Sequence, residues 1–120
     1  MAKILLVEDN EMNRDILSRH LKRRGFDYLL AGDGEQAVTL ARSEKPDLIL
    51  MDMNLPVKDG WSATQELKAS PATRDIPIIA LTAYSSDNDR EKALAAGCDE
   101  HESKPFRAQL LFDKIALLMQ

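Results

Sequence analysis

Apolar runs of strand length alternate along the chain with stretches whose apolar residues recur at helical spacing. The runs are Ile4-Leu5-Leu6-Val7, Phe26 to Ala31, Leu48-Ile49-Leu50-Met51 and Ile78-Ile79-Ala80-Leu81. The third, continuously apolar, has the pattern of a strand covered on both faces, as in a parallel sheet. Strands alternating with helices mark a βα repeat, and five such pairs are expected. The fifth strand, about Asp99 to Ser103, has poor propensity of its own and is assigned partly from the pattern of the other four.

The helices are bounded by cap and stop signals. Asn10 is a suitable N-cap for a first helix with Met12, Ile16, Leu17 and Leu21 on one face, and Gly25 after Arg23-Arg24 is its stop. Asp33 with Gln36 three residues on resembles a capping box for a second helix through Ala37, Leu40 and Ala41, ended by Lys45-Pro46. A loop from Met53 to Gly60, with Pro56 and an Asp59-Gly60 turn, precedes a third helix holding Trp61, Ala63 and Leu67. Pro77 starts the fourth strand, where a missing N–H is tolerable. The fourth helix, about Ser86 to Ala96, has a thin apolar face of Leu94 and alanines, and weak anchoring makes it a candidate for motion. The last helix carries Leu110, Leu111, Ile115 and Leu118.

The ends of these strands hold the candidate chemistry. Glu8-Asp9 follows the first, Asp52 the third, Thr82-Ala83 the fourth and Lys104-Pro105 the fifth. In an open parallel sheet the carboxyl ends of all strands lie along one edge, so these positions would meet in one crevice. Three carboxylates, a hydroxyl and an ammonium suggest Mg²⁺ and phosphate: Mg²⁺ takes one or two carboxylates and leaves other positions to water and phosphate oxygens. Three close carboxylates would otherwise repel one another and take up protons. A carboxylate at Asp52 could also attack phosphorus and become an acyl phosphate, with Lys104, the Thr82 hydroxyl and backbone N–H groups neutralising phosphoryl oxygens. Ala83 leaves room for that approach. Taken singly, Glu8 could be a solvated strand end, Asp9 a helix cap and Asp52 a turn residue.

Length and charge narrow the reading. A chain of 120 residues with 44% hydrophobic content suits one domain with a real core, and a single domain over 1–120 with no effector domain is expected. The net charge of −4 provides no broad field for nucleic acid or an anionic membrane. The cluster Arg19, His20, Lys22, Arg23 and Arg24 reads as a solvated helix end whose cations suit the helix dipole. Cys98 is the only cysteine, which excludes an internal disulfide and a paired-thiol zinc site. It reads as a small buried or half-buried residue rather than a redox sensor, and Trp61 as a packing residue rather than a binding one. The first apolar run is too short and too soon acidic for a signal peptide or span, so a cytoplasmic protein is expected.

The motifs Val7-Glu8-Asp9-Asn10, Leu48 to Pro56, Asp59-Gly60, Leu81-Thr82-Ala83 and Ser103-Lys104-Pro105-Phe106 together resemble a response-regulator receiver domain of two-component phosphorelays, over essentially the whole chain. The resemblance implies a doubly wound five-stranded parallel sheet in order 2-1-3-4-5, flavodoxin-like. It implies Asp52 as phosphoacceptor, Glu8, Asp9 and Asp52 with the Asn54 backbone carbonyl as ligands of Mg²⁺ or Mn²⁺, Thr82 as switch hydroxyl, and Lys104, before a cis Pro105, as phosphate-binding lysine. Tyr84 and Asn54 would line the mouth. The donor would be a sensor histidine kinase or a histidine phosphotransfer protein. The output would be a protein bound by the fourth helix, fifth strand and fifth helix, or onward phosphotransfer, from a monomer or a weak phosphorylation-dependent dimer. Such a domain is not a turnover enzyme; it catalyses only its own phosphorylation and dephosphorylation. One position departs: receivers usually carry Tyr or Phe three residues before the lysine, an aromatic that rotates inward as the threonine moves. Here it is His101, a candidate switch residue or else a plain exposed histidine, which can rotate and hydrogen-bond but packs less apolar surface.

Three other classes fit less well. A phosphohydrolase of haloacid-dehalogenase type would place its aspartyl nucleophile after the first strand with a second acid two residues on, whereas Asn54 stands two beyond Asp52. A flavodoxin-like cofactor binder would need a hydroxyl- and glycine-rich phosphate loop where this chain has Glu8-Asp9-Asn10-Glu11. A receiver-like module that is never phosphorylated would have little use for the complete acid, threonine and lysine set.

Overall fold

The computed structural model describes residues 2–82, 87–103 and 107–119, and of these all side chains except 87–89 and 103. Five βα pairs follow in order: β1 (Lys3–Val7), α1 (Glu11–Arg23), β2 (Asp27–Ala31), α2 (Gly34–Glu44), β3 (Leu48–Asp52), α3 (Gly60–Ala69), β4 (Ile78–Thr82), α4 (Asp87–Ala96), β5 (Glu100–Ser103) and α5 (Ala108–Leu118). All pairings are parallel, in the order β2-β1-β3-β4-β5. The parallel βα repeat is what the alternation of runs predicts, and the doubly wound, flavodoxin-like order is the one the family resemblance implies.

Alternate strand residues feed two cores, one on each face of the sheet. Leu5, Val7, Ile49, Met51, Ile78 and Ala80 pack with α2, α3 and α4 through Ala37, Val38, Ala41, Ala63, Leu67 and Ala93. Ile4, Leu6, Leu48, Leu50, Ile79 and Leu81 pack with α1 and α5 through Leu17, Leu21, Leu111, Phe112 and Ile115. β3 and β4 are buried at every position, and each such Leu or Ile contributes about 1.5–3 kcal/mol by leaving water.

The cap signals hold. Asn10 accepts from Asn13 N–H, Asp33 from Gln36 N–H and Asp59 from Ser62 N–H. Gln36 reaches back to the N–H of Gly32 at 2.9 Å, one residue short of a capping box. Gly25, at φ 83°, turns the chain after α1, and Lys45 takes the left-handed C-cap position of α2 despite its side chain.

Some expectations need correction in detail. Met12 and Ile16 stand out in solvent rather than sharing the buried face of Leu17 and Leu21, because α1 turns only that second pair inward. On α5, Leu110 is exposed and Phe112 takes its place in the core. The basic end of α1 is not wholly solvated: the Arg24 guanidinium lies 4.0 Å from the Phe112 ring centroid, a cation–π contact. There, partial burial and then the Arg24 and Arg23 charges hold the His20 pKa below its ordinary value. Cys98 is buried as expected, 3.7 Å from the Thr64 hydroxyl, and burial pushes its pKa up to about 11. Trp61 packs against the core with Lys92 4.6 Å from its ring centroid. No helix among the described residues is long and apolar enough to cross a membrane.

Candidate functional site

The acids predicted to converge do so. Glu8 follows β1, held in line by its N–H on the Ala31 carbonyl at 3.0 Å, and Asp52 ends β3. One ligand oxygen from each of Glu8, Asp9 and Asp52 lies within 4.8 Å of the others. Glu8 and Asp52 are buried while Asp9 is exposed, so the cluster opens to solvent on one side. Octahedral Mg²⁺ binds oxygen at about 2.0–2.1 Å, which places opposed ligands roughly 4 Å apart, so modest side-chain adjustment suits this set to the ion. Backbone donors orient two of the carboxylates: Asn10 N–H to Glu8 Oε1 at 3.2 Å and Asn54 N–H to Asp52 Oδ1 at 3.1 Å. Asn54, the predicted carbonyl ligand, therefore sits in the turn directly against Asp52.

That turn is braced from outside the cluster. The Met53 N–H donates to the Leu81 carbonyl at 3.1 Å, and the Met53 carbonyl accepts from Gly60 N–H at 3.1 Å. The Lys58 carbonyl accepts from Gly34 N–H at 3.0 Å, and the Lys58 ammonium pairs with Glu66 and, at 3.3 Å, with Glu35. The hydrogen bond to Glu66 is the main cause of the upward pKa shift of Lys58, and it draws the Glu66 pKa down in turn. Only glycine fits at two of these contacts: a Cβ on Gly34 would lie 2.0 Å from the Lys58 carbonyl oxygen, and one on Gly60 2.4 Å from that of Asp52.

Thr82 ends β4, and its hydroxyl oxygen lies 2.6 Å from Nε2 of His101 on β5. The contact follows from register. His101 pairs with Ala80, so its side chain shares a face with Ala80 and Thr82 two residues on, and the small alanine leaves space for the ring. Both partners are buried, Thr82 being 3% and His101 8% exposed. Ala83, Tyr84, Lys104 and Pro105, which complete the predicted set, lie outside the described residues.

A second layer behind His101 was not anticipated. Lys114 on α5 donates to the His101 carbonyl at 2.6 Å and pairs with Glu102 at 3.0 Å, with Glu100 at 3.9 Å. The one hint in the sequence is Glu100 and Glu102 two apart, hence on one strand face, opposite His101. Elsewhere, Lys68 donates to the carbonyls of Arg74 and Ile76 and pairs with Asp99 at 3.1 Å, while Asp99 accepts from Ile78 N–H. These bonds tie the entries of β4 and β5 together. A groove between α1 and β2 is lined by Asn10, Met12, Arg14, Tyr28 and Leu30 among others.

A parallel sheet in this order brings carboxylates from the ends of β1 and β3 into one cluster. The family model described as response regulator receiver domain matches residues 4–116, and the chain belongs to that family, the receivers of two-component signalling. It is 36% identical over 112 residues to the polar-differentiation response regulator DivK of Brucella anthropi, covering 93% of this chain and 91% of that protein. It is 38% identical over 120 residues to hybrid signal transduction histidine kinase I of Dictyostelium discoideum, but spans only 7% of that protein's length. Among solved structures, the receiver domain of sensor histidine kinase PA1611 of Pseudomonas aeruginosa, with magnesium coordinated in its active-site cleft, is 42% identical at a TM-score of 0.92, covering 98% of this chain and 97% of that one. The Saccharomyces cerevisiae Ssk1 receiver, solved with the phosphotransfer protein Ypd1, lies in a match of 34% identity and TM-score 0.88, covering 96% and 86%.

Proposed function

We propose that this domain is a phosphorylation switch in which Asp52 accepts a phosphoryl group from a phosphohistidine. The observation that carries the reading is the buried Asp52 carboxylate at the end of β3, within ligand reach of Glu8 and Asp9. An Asp52 oxygen attacks phosphorus, the P–N bond to the donor imidazole breaks, and its electron pair stays on the departing nitrogen. The product is an acyl phosphate; in the reverse direction of signalling, water attacks the same phosphorus and releases inorganic phosphate. Glu8, Asp9, Asp52 and the Asn54 carbonyl would hold Mg²⁺ or Mn²⁺, which supplies positive charge for the phosphoryl oxygens. Asn10 and Asn54 N–H groups hold two of the carboxylates in place. Thr82 donates its hydroxyl to one phosphoryl oxygen, and Lys104 with the backbone beside Ala83 serves the others.

The domain catalyses only its own phosphorylation and dephosphorylation. The donor is a sensor histidine kinase or histidine phosphotransfer protein, and the exposed Met12, Leu30 and Tyr28 give a protein donor apolar surface in a groove that also includes Asn10, the neighbour of Asp9. Phosphorylation alters the α4-β5-α5 face, which binds a target protein or precedes onward transfer, in the cytoplasm and with at most weak dimerisation. Incubation with Mg²⁺ and a small phosphodonor followed by intact mass measurement should show one added phosphoryl group, absent in Asp52→Asn. An unmodified protein, or a modification that survives Asp52→Asn, would overturn the assignment.

A further inference from the structure

The departure at position 101 has a chemical consequence that an aromatic hydrocarbon ring could not have. We propose that His101 is a positioning residue for Thr82: in the phosphorylated state its Nε2–H donates to the Thr82 hydroxyl oxygen and so aims the single hydroxyl proton at the phosphoryl group. This rests on the assignment of Asp52 as phosphoacceptor and extends it to the neighbouring strand.

The argument is one of donor and acceptor counting. A threonine hydroxyl has one proton and two lone pairs, and a neutral imidazole nitrogen either donates or accepts according to tautomer. At 2.6 Å in a buried contact, one of Thr82 Oγ1 and His101 Nε2 must donate to the other. If the hydroxyl donates to Nε2, its proton points along β5 and only lone pairs remain for a phosphoryl oxygen, which repels them. If Nε2–H donates, the lone pair is occupied and the proton is left for the phosphoryl oxygen. Only this second arrangement lets the contact and phosphate binding coexist.

The surroundings hold the imidazole where this choice matters. Its backbone is fixed on both sides, by pairing with β4 at Ala80 and by the Lys114 ammonium on its carbonyl, and its own N–H donates to Glu100 Oε1 at 3.0 Å. Should the resting domain hold the opposite tautomer, the change costs no net proton: Nδ1 releases one to solvent and Nε2 takes one up, while Thr82 keeps its own. Lysine or arginine could not make that exchange, since neither accepts a hydrogen bond.

The test uses the whole domain with Mg²⁺ and beryllofluoride, a phosphoryl mimic. With ¹⁵N-labelled histidine, the beryllofluoride form should show a protonated Nε2 on His101, and Thr82→Val should move that resonance. His101→Leu should weaken beryllofluoride binding about tenfold, the scale of one hydrogen bond to a charged group. His101→Gln, whose amide can donate, should recover most of it, and His101→Leu should have little further effect in a Thr82→Ala background. Thermal unfolding of each variant separates misfolding from lost positioning. An unprotonated Nε2 in the loaded form, or equal affinity for wild type and a folded His101→Leu, overturns the inference and leaves Asp52 as acceptor intact. Failure of wild type to bind beryllofluoride at all overturns both.

Discussion

The Lys114 ammonium lies 2.6 Å from the carbonyl oxygen of His101 and 3.0 Å from the carboxylate of Glu102, joining α5 to β5. Glu102 is buried and, by alternation along β5, its side chain lies on the face opposite that of His101, so one ammonium ties both the Glu102 carboxylate and the strand backbone to α5. Lys114→Met keeps the aliphatic stem but leaves the buried Glu102 carboxylate and the His101 carbonyl without this donor. It should lower the unfolding free energy by about 1–3 kcal/mol in urea titration. Adding Glu102→Gln should restore part of the loss; equal stability of wild type and Lys114→Met would show that the bonds carry no weight.

Gly60→Ala is expected to harm both fold and site, although alanine ordinarily favours a helix. The added methyl would sit 2.4 Å from the Asp52 carbonyl oxygen and 2.7 Å from Met53 Cα, and backbone atoms cannot step aside as a flexible side chain can. A cost of about 1–3 kcal/mol is expected, together with weaker beryllofluoride binding, because the strand end carrying Asp52 must shift. A gain in stability with unchanged binding would contradict the close contact.

Cys98 should behave as an inert thiol. Burial disfavours its thiolate and raises its pKa from 9.0 to about 11. At pH 8 the reactive thiolate is therefore about a hundredfold scarcer than in an unfolded chain, and iodoacetamide labelling should be slower by at least that factor. Because the folded-state pKa is raised, the associated stability is full below pH 9 and is lost as pH rises towards about 11. Cys98→Ala should flatten stability against pH in that window; rapid native labelling at pH 8 would contradict the burial.

Met12 is 72% exposed and follows Asp9 by three residues, and under the proposed function a protein donor would cover it on bringing its imidazole to Asp52. Met12→Glu should leave stability and reaction with a small phosphodonor unchanged. Transfer from a phosphohistidine protein below saturation should slow about tenfold, as for loss of one well-packed interface residue. Equal slowing with both donors would place the effect in the acid cluster instead of the rim.

The order of elements and most of the acid cluster were legible in the sequence because their signals are local. Four-residue apolar runs, Asn10, Asp33 and Asp59 at cap positions, and carboxylates directly after strands follow from backbone hydrogen bonding and side-chain period within a few residues. The parallel arrangement then brings Glu8, Asp9 and Asp52 to one edge with no further information. Other relationships arise only when distant segments pack. The face α1 buries, leaving Met12 and Ile16 out, depends on where α1 settles on the sheet. The place of Phe112 beneath Arg24 depends on α5 meeting α1. The brace of Lys58 between Gly34, Glu35 and Glu66 needs α2 and α3 side by side. Position 101 shows the division most clearly. The sequence by itself determined that a histidine stands where an aromatic is usual. The parallel register of β4 with β5 decided that its Nε2 meets the Thr82 hydroxyl, because the small Ala80 beside it leaves the ring free to reach two residues along the sheet.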